Sequence, residues 1–169
     1  MKIFITGTKG SGKSTLVQTI IKECRLETAG FFTLPLYESG KRIGFYFHSI
    51  VPVEHNDQRF SIQQTASNEV IPGIFDQLGV ECLKNSQGNR YIVMDEIGYL
   101  EHDEQHYLHA LEQTIQENKN IIGVLRKCDI QYICKIRQRS DILLIDLDRM
   151  SFIHACQLIK EKIKEGKFK

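Results

Sequence analysis

The stretch GTKGSGKS, from Gly7 to Ser14, constrains the fold of this chain more than any other feature. It matches the pattern G-x-x-x-x-G-K-[ST], in which a glycine-rich backbone cradles phosphate groups. A β-branched and aromatic run at residues 2–6 precedes it and predicts a buried strand, and apolar residues at helical spacing follow it from residue 14 to 24. A strand, a phosphate-binding loop and a helix are therefore predicted in that order.

The residue types in this loop suit phosphate binding. Gly7, Gly10 and Gly12 permit backbone conformations and close approaches that a Cβ would forbid, so successive N–H groups can turn toward phosphate oxygens. Lys13 supplies a mobile positive charge for the β- and γ-phosphates, and the Ser14 hydroxyl is a hard oxygen ligand for Mg²⁺. The predicted nucleotide-binding residues are Gly7, Thr8, Lys9, Gly10, Ser11, Gly12, Lys13, Ser14 and Thr15.

Length and composition narrow the class of protein. A chain of 169 residues is a natural size for one domain, so residues 1–169 are predicted to form a single unit. The 22 basic and 21 acidic residues nearly cancel, which gives no electrostatic argument for nucleic acid or for a membrane surface. No apolar run approaches the length of a membrane span, and the first residues enter a strand directly, so we expect a cytoplasmic protein. The sequence does not indicate an oligomeric state.

A hairpin is predicted after the first helix. Aromatic and β-branched runs at 29–33 and 42–50 flank the turn-forming residues 37–41. Pro35 cannot donate to a strand ladder, so the first arm is expected to end there or to lie at a sheet edge. A mixed sheet follows from this placement.

Helical and strand-like segments alternate through the rest of the chain. Residues 51–68 are polar and predict a loop with a short strand at 60–62. Beyond them the predicted elements are a helix at 71–84, a strand at 91–94, a helix at 103–118, a strand at 121–125, a helix at 130–139, a strand at 142–145 and a helix at 152–164. This alternation predicts a three-layer α/β fold, with a mostly parallel sheet and an antiparallel hairpin insertion after the first helix.

Two acids, Asp95 and Glu96, directly follow the apolar run at 91–94. Phosphate-loop enzymes place a carboxylate at the carboxyl end of a second buried strand, so Asp95 is predicted to bind Mg²⁺ together with Ser14. Glu96 is positioned to accept a proton from an attacking water or to orient that water. Lys13 and Glu96 are therefore the predicted catalytic residues.

Three stretches together resemble the THEP-type, or cancer-related, nucleoside triphosphatases, a family of small P-loop proteins. They are TGTKGSGKST at 6–15, AGFFTLPLYESGKRIGF at 29–45 and DEIGYLE at 95–101. The resemblance implies phosphate binding by the glycine-rich loop, magnesium binding by Ser14 and Asp95, and water activation by Glu96. It also implies slow hydrolysis of ATP, GTP and related nucleotides.

Two departures from the family pattern bear on the site. Tyr99 and Leu100 stand where many members carry Lys-Met, so the role of that lysine does not transfer. The late Asn-Arg pair of the family is matched only by Arg149, because Asp148 precedes it. A basic segment at 126–139 is open to three interpretations: a solvated face, an arginine-bearing lid over the phosphates, or a nucleic-acid contact. Arg126 and Arg149 are the candidate arginine contacts.

These patterns predict a Mg²⁺-dependent nucleoside-triphosphatase whose substrate is ATP, GTP or a related nucleotide. Two alternatives stay open. One is a small nucleoside or nucleotide kinase in which the basic segment closes over a phosphate acceptor, and the other is a nucleotide-dependent binding switch. Guanine specificity is not supported, since Ile121 stands where the aspartate of Asn-Lys-x-Asp would be.

Overall fold

The computed structural model describes residues 1–63, 68–89 and 91–167, so part of the predicted loop at 51–68 lies outside the described residues. The strands are β1 Lys2–Thr6, β2 Thr28–Glu38, β3 Lys41–Ser49, β4 Gln58–Gln63, β5 Asn68–Val70, β6 Tyr91–Ile97, β7 Ile121–Leu125 and β8 Ile142–Asp146. The α-helices are α1 Lys13–Cys24, α2 Val80–Asn85, α3 Gln105–Glu117, α4 Gln131–Arg137 and α5 Phe152–Lys167. A π-helical segment, Phe75–Gly79, leads directly into α2.

The described strands form one sheet in the order β5-β4-β3-β2-β6-β7-β1-β8. The five strands from β2 to β8 in this order pair in parallel. Strands β3, β4 and β5 extend the sheet by antiparallel pairing. The predicted α/β class, with a mostly parallel sheet and an antiparallel insertion, is therefore confirmed.

Helices cover both faces of the parallel part of the sheet. In β1, Ile3 and Ile5 belong to the core that includes buried side chains of α1 and α5, whereas Phe4 belongs to the core that includes side chains of α2, α3 and α4. All three side chains are fully buried, as expected for a central parallel strand. The three-layer packing therefore fixes β1, and with it the phosphate-binding loop at its carboxyl end.

The hairpin differs from its prediction in extent. Strand β2 continues beyond residue 33 to Glu38, and its first half pairs in parallel with β6 up to Phe32 opposite Asp95. Beyond that point β2 pairs with β3 alone among the described strands, and Pro35 lies in this stretch opposite Phe45. Proline is tolerated there because its missing N–H faces the unpaired side. The edge position predicted from Pro35 is confirmed, and the predicted end of the strand is wrong.

Two further differences concern local structure. The helix predicted at 71–84 begins only at Phe75, as a π-helical segment, because Gly73 has a left-handed φ of 87° just before it. Strand β5 was not predicted, since it is only three residues long. The other predicted elements agree with the structure to within a few residues at each end. None of the helices in the described ranges combines the length and apolar character needed to cross a membrane.

Candidate nucleotide-binding and catalytic site

The phosphate-binding loop connects β1 to α1 at the carboxyl edge of the sheet. Its three glycines, Gly7, Gly10 and Gly12, have φ values of 148°, 83° and 91°. A Cβ on Gly7 would also lie 2.7 Å from Ser11 Oγ, which is closer than packed atoms allow. The sequence of glycines therefore permits a tight curve of backbone that larger residues could not follow.

Lys13 is the first residue of α1, and its side chain is buried inside the loop. Its Nζ donates hydrogen bonds to the carbonyl oxygens of Gly7 at 3.1 Å and of Thr8 at 2.9 Å. These contacts hold the ammonium group within the curve of the loop instead of in bulk solvent. The positive charge thus lies beside the N-terminal amides of α1, where anions are favoured.

Ser14 and Asp95 meet across the site as predicted from their positions. Ser14 Oγ donates a hydrogen bond to Asp95 Oδ1 at 3.0 Å. Asp95 is only 3% exposed, and this burial raises the pKa of its carboxyl group to about 7, although the Ser14 hydrogen bond opposes the rise. A nearby cation would favour the ionised carboxylate.

This pair suits a magnesium ion that arrives with a nucleotide. Two hard oxygen atoms 3.0 Å apart belong to the donor class that Mg²⁺ prefers. Within residues 1–63, 68–89 and 91–167 there is no cluster of three or more His, Cys, Asp or Glu side chains able to hold a metal on its own. The remaining ligands would therefore come from phosphate oxygens and water, which is the usual arrangement for this ion.

Glu96 projects into the same cleft from the end of β6. Its Oε1 lies 3.6 Å from Arg126 Nη1, and its backbone N–H donates to Thr33 Oγ1 at 3.1 Å. Burial raises the pKa of the Glu96 carboxyl group, while the charges of Arg126 and Lys13 oppose the rise. A partly buried carboxylate with a raised pKa is suited to accepting a proton.

Arg126 is held on two sides. Its guanidinium carbon lies 4.4 Å from the centre of the Tyr99 ring, in a cation–π arrangement, and its Nη1 faces Glu96. Tyr99, which replaces the lysine common in the resembled family, therefore serves as a platform for an arginine that comes from the end of β7.

Glu101 fixes the turn that follows the two acids. This residue is 2% exposed, and its Oε1 accepts a hydrogen bond from the Gly98 N–H at 2.6 Å. The Tyr132 hydroxyl, from α4, donates to the Gly98 carbonyl on the other side of the same residue. Burial raises the pKa of the Glu101 carboxyl group to about 7. Sequence reasoning included Glu101 in the DEIGYLE stretch but assigned it no role.

An open cleft of about 620 Å³ runs along these groups. Besides most of the phosphate-binding loop and Glu96, its lining includes Arg42 and Phe45 of β3, and Arg126 and Lys127 after β7. Arg42 lies 5.0 Å above the Phe45 ring and donates through Nε to Gln63 at 2.7 Å. Sequence reasoning missed Arg42 and Phe45 as site residues, because only the placement of the hairpin beside β6 brings them here.

The structure separates the two candidate arginines. Arg126 lines the cleft, whereas Arg149 is 88% exposed, lies 3.9 Å from Asp146 and is not among the residues that line the cleft. Asp148, the other residue of that departure from the family pattern, accepts hydrogen bonds from the Thr8 N–H and hydroxyl, both at 2.9 Å. This aspartate therefore anchors the phosphate-binding loop to the segment before α5.

The rest of the basic segment does not line the cleft. Arg137 donates to the Arg126 carbonyl at 2.9 Å, and Arg139 pairs with Asp141 at 2.8 Å. Neither residue, nor Lys135, is among those that line the cleft. The interpretation of the whole segment as a lid thus receives no support, and only its first two residues, Arg126 and Lys127, face the site.

Comparison with known proteins places this geometry in a family. A model of the NTPase family, described as "NTPase", matches residues 2–152. The chain belongs to this family. Family membership confirms the predicted resemblance and the predicted enzyme class, a nucleoside-triphosphatase.

Individual relatives agree with this placement along most of their length. The chain is 29% identical over 153 residues to "Nucleoside-triphosphatase THEP1" of Thermotoga petrophila, a match covering 88% of this chain and 84% of the relative. It is 26% identical over 172 residues to the human "Cancer-related nucleoside-triphosphatase", covering 90% of each.

Solved structures share the fold. The crystal structure of THEP1 from Aquifex aeolicus superposes with a TM-score of 0.70 at 26% identity, covering 87% of this chain and 90% of that one. The solution structure of a human cancer-related nucleoside triphosphatase has a TM-score of 0.72 at 24% identity and covers 97% of both chains, which shows likeness of fold alone.

Proposed function

We propose that this NTPase-family chain, as one catalytic domain of residues 1–169, hydrolyses the γ-phosphate of ATP, GTP and related nucleotides with the aid of Mg²⁺. The observation that carries the proposal is the convergence of three groups at one cleft. These are the buried ammonium of Lys13, the hydrogen-bonded pair of Ser14 and Asp95, and the Glu96 carboxylate. Each group has a different task in phosphoryl transfer.

Binding of the triphosphate relies on the loop amides and Lys13. Phosphate oxygens would replace the carbonyl oxygens of Gly7 and Thr8 as acceptors for the Lys13 ammonium, which already lies inside the loop. When bound at Ser14 and Asp95, Mg²⁺ would neutralise negative charge on the β- and γ-phosphate oxygens. The raised pKa of Asp95 is consistent with a carboxylate that ionises fully only beside a cation.

Hydrolysis then needs an oriented water. Glu96 accepts a hydrogen bond from the water and takes up its proton as the oxygen attacks the γ-phosphorus, and the bond between that phosphorus and the β–γ bridging oxygen breaks. Lys13 and the loop amides stabilise the charge that develops on the leaving oxygen. Arg126, 3.6 Å from Glu96, is placed to stabilise charge on the γ-phosphoryl group.

The decisive experiment exchanges Glu96 for glutamine. Glu96→Gln keeps the size of the side chain but removes its basicity, so single-turnover hydrolysis should fall by about 10²- to 10⁴-fold while binding of the Mg²⁺–ATP complex persists. Asp95→Asn should instead weaken the binding of Mg²⁺, so that hydrolysis needs a higher Mg²⁺ concentration than in the wild type. Exposed Glu117 on α3 offers a matched control, and Glu117→Gln should hydrolyse ATP at the wild-type rate.

Two results would contradict the proposal. Near-wild-type hydrolysis by Glu96→Gln would remove the water-activating residue, and full activity in excess chelator would remove the metal. Phosphate release that requires an added acceptor molecule would favour the kinase alternative.

A further inference from the structure

The first turn of α5 exposes two neighbouring apolar side chains. Phe152 is 37% exposed and Ile153 is 68% exposed, and within the described ranges only Tyr37 and Leu144 are other large apolar residues as open to solvent. Scattered exposure of single apolar residues is ordinary in proteins. An adjacent pair is more informative where one of its members, here Phe152, packs against the phosphate-binding loop at Gly12, because exposed apolar residues favour contact with an apolar surface.

The Phe152 side chain packs against the phosphate-binding loop. The Phe152 ring lies 3.5 Å from the position that a Cβ would take on Gly12, the residue before Lys13. In the same segment, Asp148 accepts hydrogen bonds from the N–H and hydroxyl of Thr8. The start of α5 therefore forms one border of the loop.

The direction of a bound nucleotide follows from the order of the strands. Under the proposed function the γ-phosphate lies at Glu96, the next-to-last residue of β6, whereas α5 follows β8, which lies on the opposite side of β1 from β6. A triphosphate whose last phosphate faces Glu96 therefore leads its ribose and base away from β6, toward the start of α5. Phe152 and Ile153 lie on that side.

We propose that Phe152 and Ile153 form the nucleobase subsite, with the Phe152 ring as the stacking face. The inference rests on the proposed function and adds the contact that receives the base. Stacking on an aromatic ring accepts any base, because each base has a π face, and its strength grows with the area of that face. The subsite therefore takes all common nucleobases and favours purines over pyrimidines.

The nearby carboxylates support a subsite that does not select a base by hydrogen bonds to its edge. Asp148 is occupied by Thr8 and by Lys127 at 2.8 Å, and Asp146 is occupied by the same Lys127 at 3.0 Å. A carboxylate that selects guanine has to accept hydrogen bonds from the base. A base would therefore have to compete for these oxygens with the Lys127 ammonium and, at Asp148, also with Thr8.

The test separates the base from the phosphates by using inorganic tripolyphosphate, which has no base or ribose. Phe152→Ala should weaken Mg²⁺–ATP binding by about tenfold, given the usual size of base–aromatic stacking. It should leave the binding of tripolyphosphate unchanged, and it should reduce the preference for ATP over CTP. Phe152→Tyr, which keeps the ring, should restore both properties. Leu144→Ala, at a residue of 38% exposure on β8, is the matched control and should behave as wild type.

The outcomes that overturn the inference are distinct from those that overturn the proposed function. Equal losses for ATP and tripolyphosphate in Phe152→Ala would show that the ring only supports Gly12. If the wild type hydrolyses ATP and Phe152→Ala binds ATP with unchanged affinity, the nucleobase subsite alone is refuted. If that variant also converted a dimeric wild type into a monomer, a second copy of the chain would be the partner of this surface. A wild type that binds neither ligand would refute both proposals.

Discussion

Replacing the buried acid Glu101 with glutamine should make the protein more stable at alkaline pH. In the folded chain its carboxyl group is 2% exposed, and its pKa is raised from 4.5 to about 7 because burial disfavours the charge. Its folded-state pKa is higher than its unfolded-state pKa, so the folded chain binds more protons between these values. The stability contributed by this group is therefore complete below pH 4.5 and is lost as the pH rises to 7.

The size of the effect follows from the two pKa values. A rise from 4.5 to about 7 corresponds to roughly 3 kcal/mol between the two protonation states. Glu101→Gln cannot ionise, and its amide oxygen can still accept the hydrogen bond from Gly98. The difference in free energy of unfolding between this variant and the wild type should therefore grow by roughly 2 to 3 kcal/mol from pH 5 to pH 8, in favour of the variant.

Urea unfolding of both proteins at several pH values measures this difference directly. The raised pKa values of Asp95 and Glu96 affect both proteins and largely cancel in the comparison. Glu117→Gln, at an exposed residue of α3, serves as the control and should show no such trend. A difference between Glu101→Gln and wild type that stays constant with pH would refute the reasoning, because it would mean that Glu101 has no shifted titration in the folded chain.

Two further substitutions test the loop and the sheet. Lys13→Ala should reduce both nucleotide affinity and turnover, because the buried ammonium is the point charge held inside the phosphate-binding loop; an unchanged ATP affinity in a calorimetric titration would contradict this. Gly30→Ala should destabilise the fold by more than about 3 kcal/mol, since a Cβ there would lie 2.0 Å from the Val93 carbonyl oxygen at a φ of +98°. A denaturation midpoint close to that of wild type would show that β2 can move away from β6 at little cost.

The parts of the site that are contiguous in the sequence could be predicted from it. The positions of the glycines and Lys13 are set by the local path of the backbone. A predicted strand, loop and helix in that order were therefore enough to locate them. The pairing of Ser14 with Asp95 could also be predicted, because the carboxyl ends of parallel strands share one edge of the sheet. In the structure these two residues, 81 positions apart, are joined by a hydrogen bond of 3.0 Å.

The residues that could not be predicted reach the cleft through tertiary packing. Arg42 and Phe45 enter because β2 pairs with β6 on one side and with β3 on the other, and no local pattern in the hairpin encodes that neighbour. The π-helical start at Phe75 could not be predicted either. Helical spacing of apolar residues indicates which face of a helix is buried, but not at which residue its first turn begins.

The contacts around Glu96 show why the sequence predicts the acid pair but not the direction of the Glu96 side chain. Its backbone N–H is held by Thr33 of β2, and its carboxylate faces Arg126 from the end of β7. Gly98, two residues further on, is fixed by Glu101 on one side and by Tyr132 of α4 on the other. The direction of the Glu96 side chain therefore depends on three elements that the sequence places far apart. A motif identifies the acid that we propose activates water, whereas the packing of β2, β7 and α4 determines where that acid points.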